Sequence, residues 1–267
     1  MTKRRDWVEL AEGRLRAITR GEGPPRVFLP ALGGSFELYR ALVDALAERS
    51  RVRVIEPFGT AGSDDPGGVP SIEGLAESVV EALRSLSIER FDLVGLSLGG
   101  MVAQHVAGLV PERVRSLTLA STAVRGLKGA LGGDVRNLAM ARCLVEPTEE
   151  ETTRCLAGEV VQGRASPSVE GDIEEALRTH PISRRALLWL MAASARHDGR
   201  DALARYAGRA RVLSGALDSI FEREIQARLL EHLPDARQVV LEGVGHDLAL
   251  EAPKRMAREC DALIVAP

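Results

Sequence analysis

A chain of 267 residues with 35 Lys+Arg against 38 Asp+Glu, net charge −3, is long enough for one large α/β core or two small domains. It carries no basic footprint for nucleic acid, and no apolar run approaches the roughly 18 residues that a membrane helix needs. Only 3% of the residues are aromatic, so the core has to be built from Leu, Val, Ala and Ile, and a stacking platform for sugars or single strands is disfavoured.

The first 20 residues, with Val8-Glu9-Leu10 and then Arg14 to Thr19 around Glu12-Gly13, read as a β-hairpin at a sheet edge. The basic start, MTKRRDWVEL, has no apolar stretch behind it and does not read as a signal peptide, so a cytoplasmic location is expected. Next come a strand at Arg26 to Pro30, a helix from Phe36 to Ala47 with Leu38, Leu42, Val43 and Leu46 at helical spacing, and a strand at Val52 to Ile55. A loop rich in Gly, Asp and Pro (Gly59 to Pro70) leads to a helix capped by Ser71. Phe91 to Leu96 reads as a strand, Leu98 to Val110 as a buried helix stopped before Pro111, and Val114 to Ala120 as a buried strand.

The rhythm breaks over residues 121–205, which hold helical stretches (Asp172 to Thr179, Ser183 to Ala195) but no confident strand. It resumes with a strand at Ala210 to Leu213, a helix from Phe221 to His232, a strand at Gln238 to Leu241 and a closing helix from Pro253 to Val265. Alternating β and α elements imply a parallel sheet with helices on both faces. The middle stretch reads as a helical excursion over one end of that sheet. Cys143, Cys155 and Cys260 match no zinc or CxxC spacing and are expected to be reduced thiols.

The chemistry points to one sheet edge. Gly95-Leu96-Ser97-Leu98-Gly99 falls between a strand and a helix, where a serine in a tight turn needs small neighbours and is lifted to the sheet's carboxyl edge at a helix N-terminus. A serine nucleophile needs a base, and the base needs an orienting acid. His246, in Gly243-Val244-Gly245-His246, follows the last strand at the same edge. Asp218 follows the strand at Arg211 to Leu213 through Ser214-Gly215-Ala216-Leu217, also at a carboxyl end, where ligands gather in open α/β sheets. The place after the preceding strand, Ser121-Thr122-Ala123, offers no carboxylate, and Asp247 cannot readily fold back onto its neighbour's ring. His105 reads as structural, and surface positions are expected for His180 and His197.

With the order Ser97, Asp218, His246, the chain resembles the α/β-hydrolase fold superfamily over nearly its whole length, in particular serine-nucleophile members with a helical cap. Pro30-Ala31-Leu32-Gly33-Gly34-Ser35 matches the His-Gly-x-Gly-Gly-Ser oxyanion loop, and Glu56-Pro57-Phe58-Gly59-Thr60-Ala61-Gly62-Ser63-Asp64 matches Asp-x-Pro-Gly-His-Gly-x-Ser-Asp. Gly215-Ala216-Leu217-Asp218 matches the acid loop, and Gly245-His246 with Leu250-Glu251-x-Pro253 matches the terminal signature.

The resemblance implies a mostly parallel, doubly wound eight-stranded sheet. Residues 1–120 and 206–267 form its core, and residues 121–205 are an inserted helical cap. It places the backbone N–H groups of Leu32 and Leu98 in an oxyanion hole. Pro30-Ala31 and Thr60-Ala61 stand where two His-Gly pairs, which mostly brace that loop, would be.

The implied reaction is acyl transfer to water on a small carboxylic ester, thioester or lactone, with no metal or organic cofactor. An acyltransferase or lyase using the same three residues, and a slow-turnover ligand receptor, are the alternatives. The expected partner is a small acyl substrate, without nucleic acid or membrane, for a monomer or homodimer. Trp189, Phe221 and Phe36 are the aromatic candidates for substrate contact, beside an aliphatic cluster of Leu187, Leu190 and Met191.

Overall fold

The computed structural model describes residues 3–65, 67–126, 142–148, 150–152, 154–155, 173, 175–176 and 178–264. Its sheet has eight strands in the order β1-β2-β4-β3-β5-β6-β7-β8: Lys3–Leu10, Gly13–Arg20, Pro25–Leu29, Arg51–Glu56, Phe91–Leu96, Val114–Ala120, Arg209–Gly215 and Arg237–Leu241 for β1 to β8. The hairpin β1–β2 joins β4 antiparallel, and every other neighbour pair is parallel. This is the expected doubly wound sheet with its N-terminal hairpin. Strand β5 is buried along its whole length, as a central parallel strand is, and the one charged residue in it, Asp92, accepts from the Ser116 hydroxyl and the Arg115 guanidinium.

Among the described residues the main helices are α1 (Arg40–Ala47), α2 (Ile72–Ser85), α3 (Leu98–Leu109), α4 (Arg184–Arg196), α5 (Arg200–Leu203), α6 (Arg223–Ala227), α7 (Leu248–Glu251) and α8 (Pro253–Asp261). The helices split the core into two layers. Leu42, Val43 and Leu46 of α1 pack with Met256, Ala257 and Cys260 of α8 on one face of the sheet. Leu75, Val79 and Leu83 of α2 pack with Val102 and Val106 of α3 on the other. The Ser71 hydroxyl caps α2 by accepting from the Gly74 N–H at 2.9 Å, and Pro253 opens α8 at a position where its missing N–H costs nothing. Chain order reverses between β3 and β5, so the loops after these two strands meet at the sheet's carboxyl edge.

Three elements differ from expectation. The helix expected from Phe36 starts only at Arg40, because the Phe36 N–H donates to the Glu56 carboxylate and the Leu38 N–H to the Ser35 hydroxyl instead of entering a helical ladder. The helix expected over Phe221 to His232 is a short α6 followed by a 3₁₀ turn at Arg228–Glu231, since the Ile220 and Phe221 N–H groups turn back to Asp218. The closing helix stops at Asp261, and residues 265–267 lie outside the described residues.

The chain leaving β6 and the chain approaching β7 meet just before α5. Arg125 bridges Asp198, the Gly126 N–H donates to the His197 carbonyl, and the Gly199 N–H donates to the Val124 carbonyl. Beyond this junction α5 already packs on α3, with Leu203 in the core. Helix α4 is capped by Ser183, whose hydroxyl accepts from the Ala186 N–H. The helical stretch expected at Asp172 to Thr179 lies partly outside the described residues; the described residues 173, 175, 176, 178 and 179 are helical.

The expectation of three reduced thiols fails. Cys143 and Cys155, with Cα atoms 5.5 Å apart, are joined as a disulfide, and Cys260 alone is a buried free thiol. His197 is likewise not a surface residue. It is buried with its Nδ1 3.3 Å from the Nε2 of His105, because the junction presses it against α3. No described helix is long and apolar enough to cross a membrane.

Candidate active site

Ser97 occupies the sharp turn between β5 and α3 with φ +52° and ψ −114°, a region an L-residue adopts only under constraint. The constraint is a ring of hydrogen bonds. Its N–H donates to the Ala120 carbonyl at 2.9 Å, and its carbonyl accepts from the Gly100 and Met101 N–H groups and the Thr122 hydroxyl.

The small flanking residues are required by space. A Cβ on Gly95 would lie 2.4 Å from the Gly99 carbonyl oxygen, and one on Gly99 would lie 2.1 Å from the Leu29 carbonyl oxygen. Both obstacles are backbone and cannot swing aside. Gly99→Ala is therefore expected to destabilise the fold by at least about 1–3 kcal/mol, read as a lowered urea midpoint at unchanged m-value.

The Ser97 Oγ lies 3.0 Å from the His246 Nε2, and the His246 Nδ1 lies 3.0 Å from each oxygen of Asp218. The three residues come from the loops after β5, β7 and β8, all at one edge. Asp218 and His246 are buried.

The carboxylate of Asp218 is fixed from every side: it also accepts from the Ile220 and Phe221 N–H groups at 2.9 and 3.0 Å and from the Gln226 side-chain amide at 2.9 Å. Gln226 is fully buried, and its own amide oxygen accepts from the Ser214 hydroxyl. This residue has no motif in the sequence. Its only trace there is a polar side chain inside a stretch that reads as a packed helix.

Burial alone would push the His246 imidazole down, but the Asp218 carboxylate beside it, helped by Asp247 and Glu251, holds its pKa above the ordinary 6.5. Asp247 does not turn onto the ring. It accepts from the Tyr39 hydroxyl at 2.8 Å and caps α7 through the Leu250 N–H, while Glu251 accepts from the Gly245 N–H at 2.8 Å. The loop carrying His246 is thus anchored on both sides of the ring.

Leu98 is the first residue of α3, where backbone N–H groups precede the helical ladder and the dipole favours negative charge. Leu32 lies in a tight turn after β3, closed by the Gly34 N–H donating to the Ala31 carbonyl at 2.8 Å. Leu29 and Gly95 pair in register, which brings that turn alongside the elbow.

Leu32 also packs on the cluster of Ile182, Ala186 and Leu187 between β6 and β7. Leu187 and Met191 share this cluster, whereas Leu190 joins the main core. Of the aromatic candidates, Phe221 lies against His246 with ring centres 5.8 Å apart. The Phe36 side chain is buried with Phe28 and Tyr39 in the α1 layer, because its backbone is drawn inward to Glu56. Trp189 is half-buried on α4, and its ring partner is the Arg185 guanidinium at 5.2 Å. Among the described residues, no group of three or more His, Cys, Asp or Glu is placed to hold a metal ion.

A family model described as alpha/beta hydrolase fold matches residues 24–140. The chain is 30% identical over 243 residues to a pimeloyl-[acyl-carrier protein] methyl ester esterase of Aeromonas hydrophila, covering 88% of this chain and 93% of that one. It is 29% identical over 269 residues to the dihydrolipoyllysine-residue acetyltransferase component of an acetoin cleaving system of Pseudomonas putida, of whose length it spans 66%, just under two thirds. A crystal structure of a hydrolase from Pseudomonas aeruginosa PA01 superposes with a TM-score of 0.82 at 25% identity, over 98% of each chain. The chain belongs to the α/β-hydrolase fold family and is a hydrolase.

Proposed function

We propose that this hydrolase cleaves a small carboxylic ester, thioester or lactone through an acyl-enzyme on Ser97. The observation that carries the reading is the relay from the Ser97 Oγ through the His246 Nε2 and Nδ1 to Asp218, each step 3.0 Å. His246 takes the Ser97 proton as Oγ attacks the carbonyl carbon, and the Leu32 and Leu98 N–H groups hold the oxyanion. His246 then gives the proton to the leaving oxygen or sulfur. Water enters, loses a proton to the same nitrogen, and releases the acid and Ser97.

The name of the Aeromonas relative, an ester hydrolase, supports this class. The contact of Leu32 with Leu187 and Ile182 puts aliphatic side chains beside the oxyanion turn, which favours an aliphatic acyl group over an aryl one.

The test is a stopped-flow burst of p-nitrophenol from p-nitrophenyl butyrate, with intact-mass detection of a fluorophosphonate adduct. One adduct per chain on Ser97 is expected, and an adduct on another residue overturns the reading. Multiple turnovers per minute separate a hydrolase from a ligand receptor.

The pH profile follows from His246. The base works only when neutral, and Asp218 raises its pKa, so the acid limb of kcat/KM is expected above pH 6.5, with activity falling as pH drops through it.

A further inference from the structure

Beneath the oxyanion turn lies a charged cluster that the chemistry above does not use. Arg16 of β2 and Glu56 of β4 are register partners and both are fully buried. The Arg16 Nη1 lies 3.2 Å from both Glu56 oxygens, and its Nη2 lies 2.6 Å from Glu37, which is itself only 4% exposed.

Stability does not account for this cluster. Removing charges from water costs several kcal/mol per ion, and apolar replacements of buried ion pairs are often as stable or more so. One guanidinium here faces two carboxylates, and burial pushes Glu56 up to about 7 in spite of Arg16.

What the cluster touches is the loop that carries Leu32. One Glu56 oxygen accepts from the Phe36 N–H at 2.9 Å, and the other accepts from the Gly62 N–H at 3.1 Å. The next loop residue is Glu37. The loop is therefore held at its far end by two adjacent residues, one through its backbone and one through its side chain. Its near end is set by the approach of Pro30 to α3, where the Gly99 position has no room for a Cβ. The 31–34 turn is suspended between these anchors.

We propose that Arg16, Glu37 and Glu56 are positioning residues that set the Leu32 N–H over Ser97, so that oxyanion stabilisation depends on a buried charge network two strands away. The inference rests on the acyl-enzyme reading. A displacement of about 1 Å at such a donor costs up to about 10²-fold in rate, without weakening substrate binding to the same degree.

The test compares wild type, Glu56→Gln, Glu56→Ala and Glu37→Gln with Arg26→Met. Arg26 is an equally buried arginine, paired with Asp261 at 2.7 Å near the amino end of β3, and serves as a stability control. For each, kcat and KM for p-nitrophenyl butyrate, the inhibition constant of an aliphatic trifluoromethyl ketone and the melting temperature are measured.

Glu56→Ala is expected to lower kcat about 10–100-fold with KM within about threefold, and to weaken the ketone by the same factor as kcat. Glu56→Gln, which keeps a carbonyl for the Phe36 N–H, retains most of both. Arg26→Met lowers the melting temperature but leaves kcat and the inhibition constant alone. If Glu56→Ala does not fold, Glu37→Gln carries the same requirement, that kcat and ketone affinity fall together. A melting shift with both unchanged, in an enzyme whose turnover still depends on Ser97, overturns this inference alone. Turnover that survives Ser97→Ala overturns the acyl-enzyme reading and this inference with it.

Discussion

Ser97→Ala is expected to abolish turnover of p-nitrophenyl butyrate, with a loss of about 10⁵–10⁶ in kcat. The Ser97 Oγ is the atom facing the His246 Nε2, and alanine leaves the base with nothing to deprotonate except a stray water. What survives is the contribution of the oxyanion donors and substrate binding, about 10³–10⁴ over the uncatalysed reaction. The variant should fold as well as the wild type. The backbone at position 97 is held by bonds to its own N–H and carbonyl, which alanine keeps, and the Oγ makes its contact with the loop of His246 only at the surface of the cleft. An unchanged melting temperature alongside lost activity assigns the effect to chemistry. Retention of more than about 1% activity would mean that another group attacks the ester.

Asp218→Asn is the second large effect, about 10⁴ in kcat. The carboxylate accepts from four donors: Ile220 N–H, Phe221 N–H, the Gln226 amide and the His246 Nδ1–H. An asparagine has one accepting oxygen. The Ile220 and Phe221 N–H groups share one oxygen of Asp218, so the amide oxygen is expected to stay with them, which turns the Asn NH₂ toward Gln226 and His246. The imidazole must then accept at Nδ1 and carry its proton on Nε2, the wrong tautomer for taking a proton from Ser97. Loss of the negative charge also removes the main influence that raises the His246 pKa, so whatever activity remains should show its acid limb at lower pH than wild type. Near-normal rate with an unmoved limb would point to another carboxylate, and Asp247, turned to Tyr39, is badly placed for that.

The sheet and the three loops of the site were legible because they are written in local signals. Buried strands such as Phe91–Leu96 are short, mostly apolar runs, and the elbow glycines announce a turn with no room for side chains. Features set by non-local partners were not legible. Nothing around Phe36 says that its N–H is captured by a carboxylate 20 residues on, which is why α1 starts late. Nothing around Gln226 says that it faces Asp218, and nothing around His197 says that the junction of the inserted segment buries it against His105. The pairing of Cys143 with Cys155 is of the same kind, since it depends on the path of the chain between them.

The bridge between Arg125 and Asp198 also bears on how such an enzyme changes its substrate. The two strands of chain at that point run side by side, within hydrogen-bonding distance, so the chain leaves β6 and returns toward β7 at neighbouring points. Closing a loop across so small a gap costs only slightly more when the loop is doubled in length. Segments of different size are therefore expected to be accommodated between 126 and 197 at little entropic cost, provided they replace the packing of Ile182 and Leu187 on Leu32. A graft of this stretch from a relative with a different ester preference is expected to carry that preference with it, read as a changed ranking of p-nitrophenyl esters.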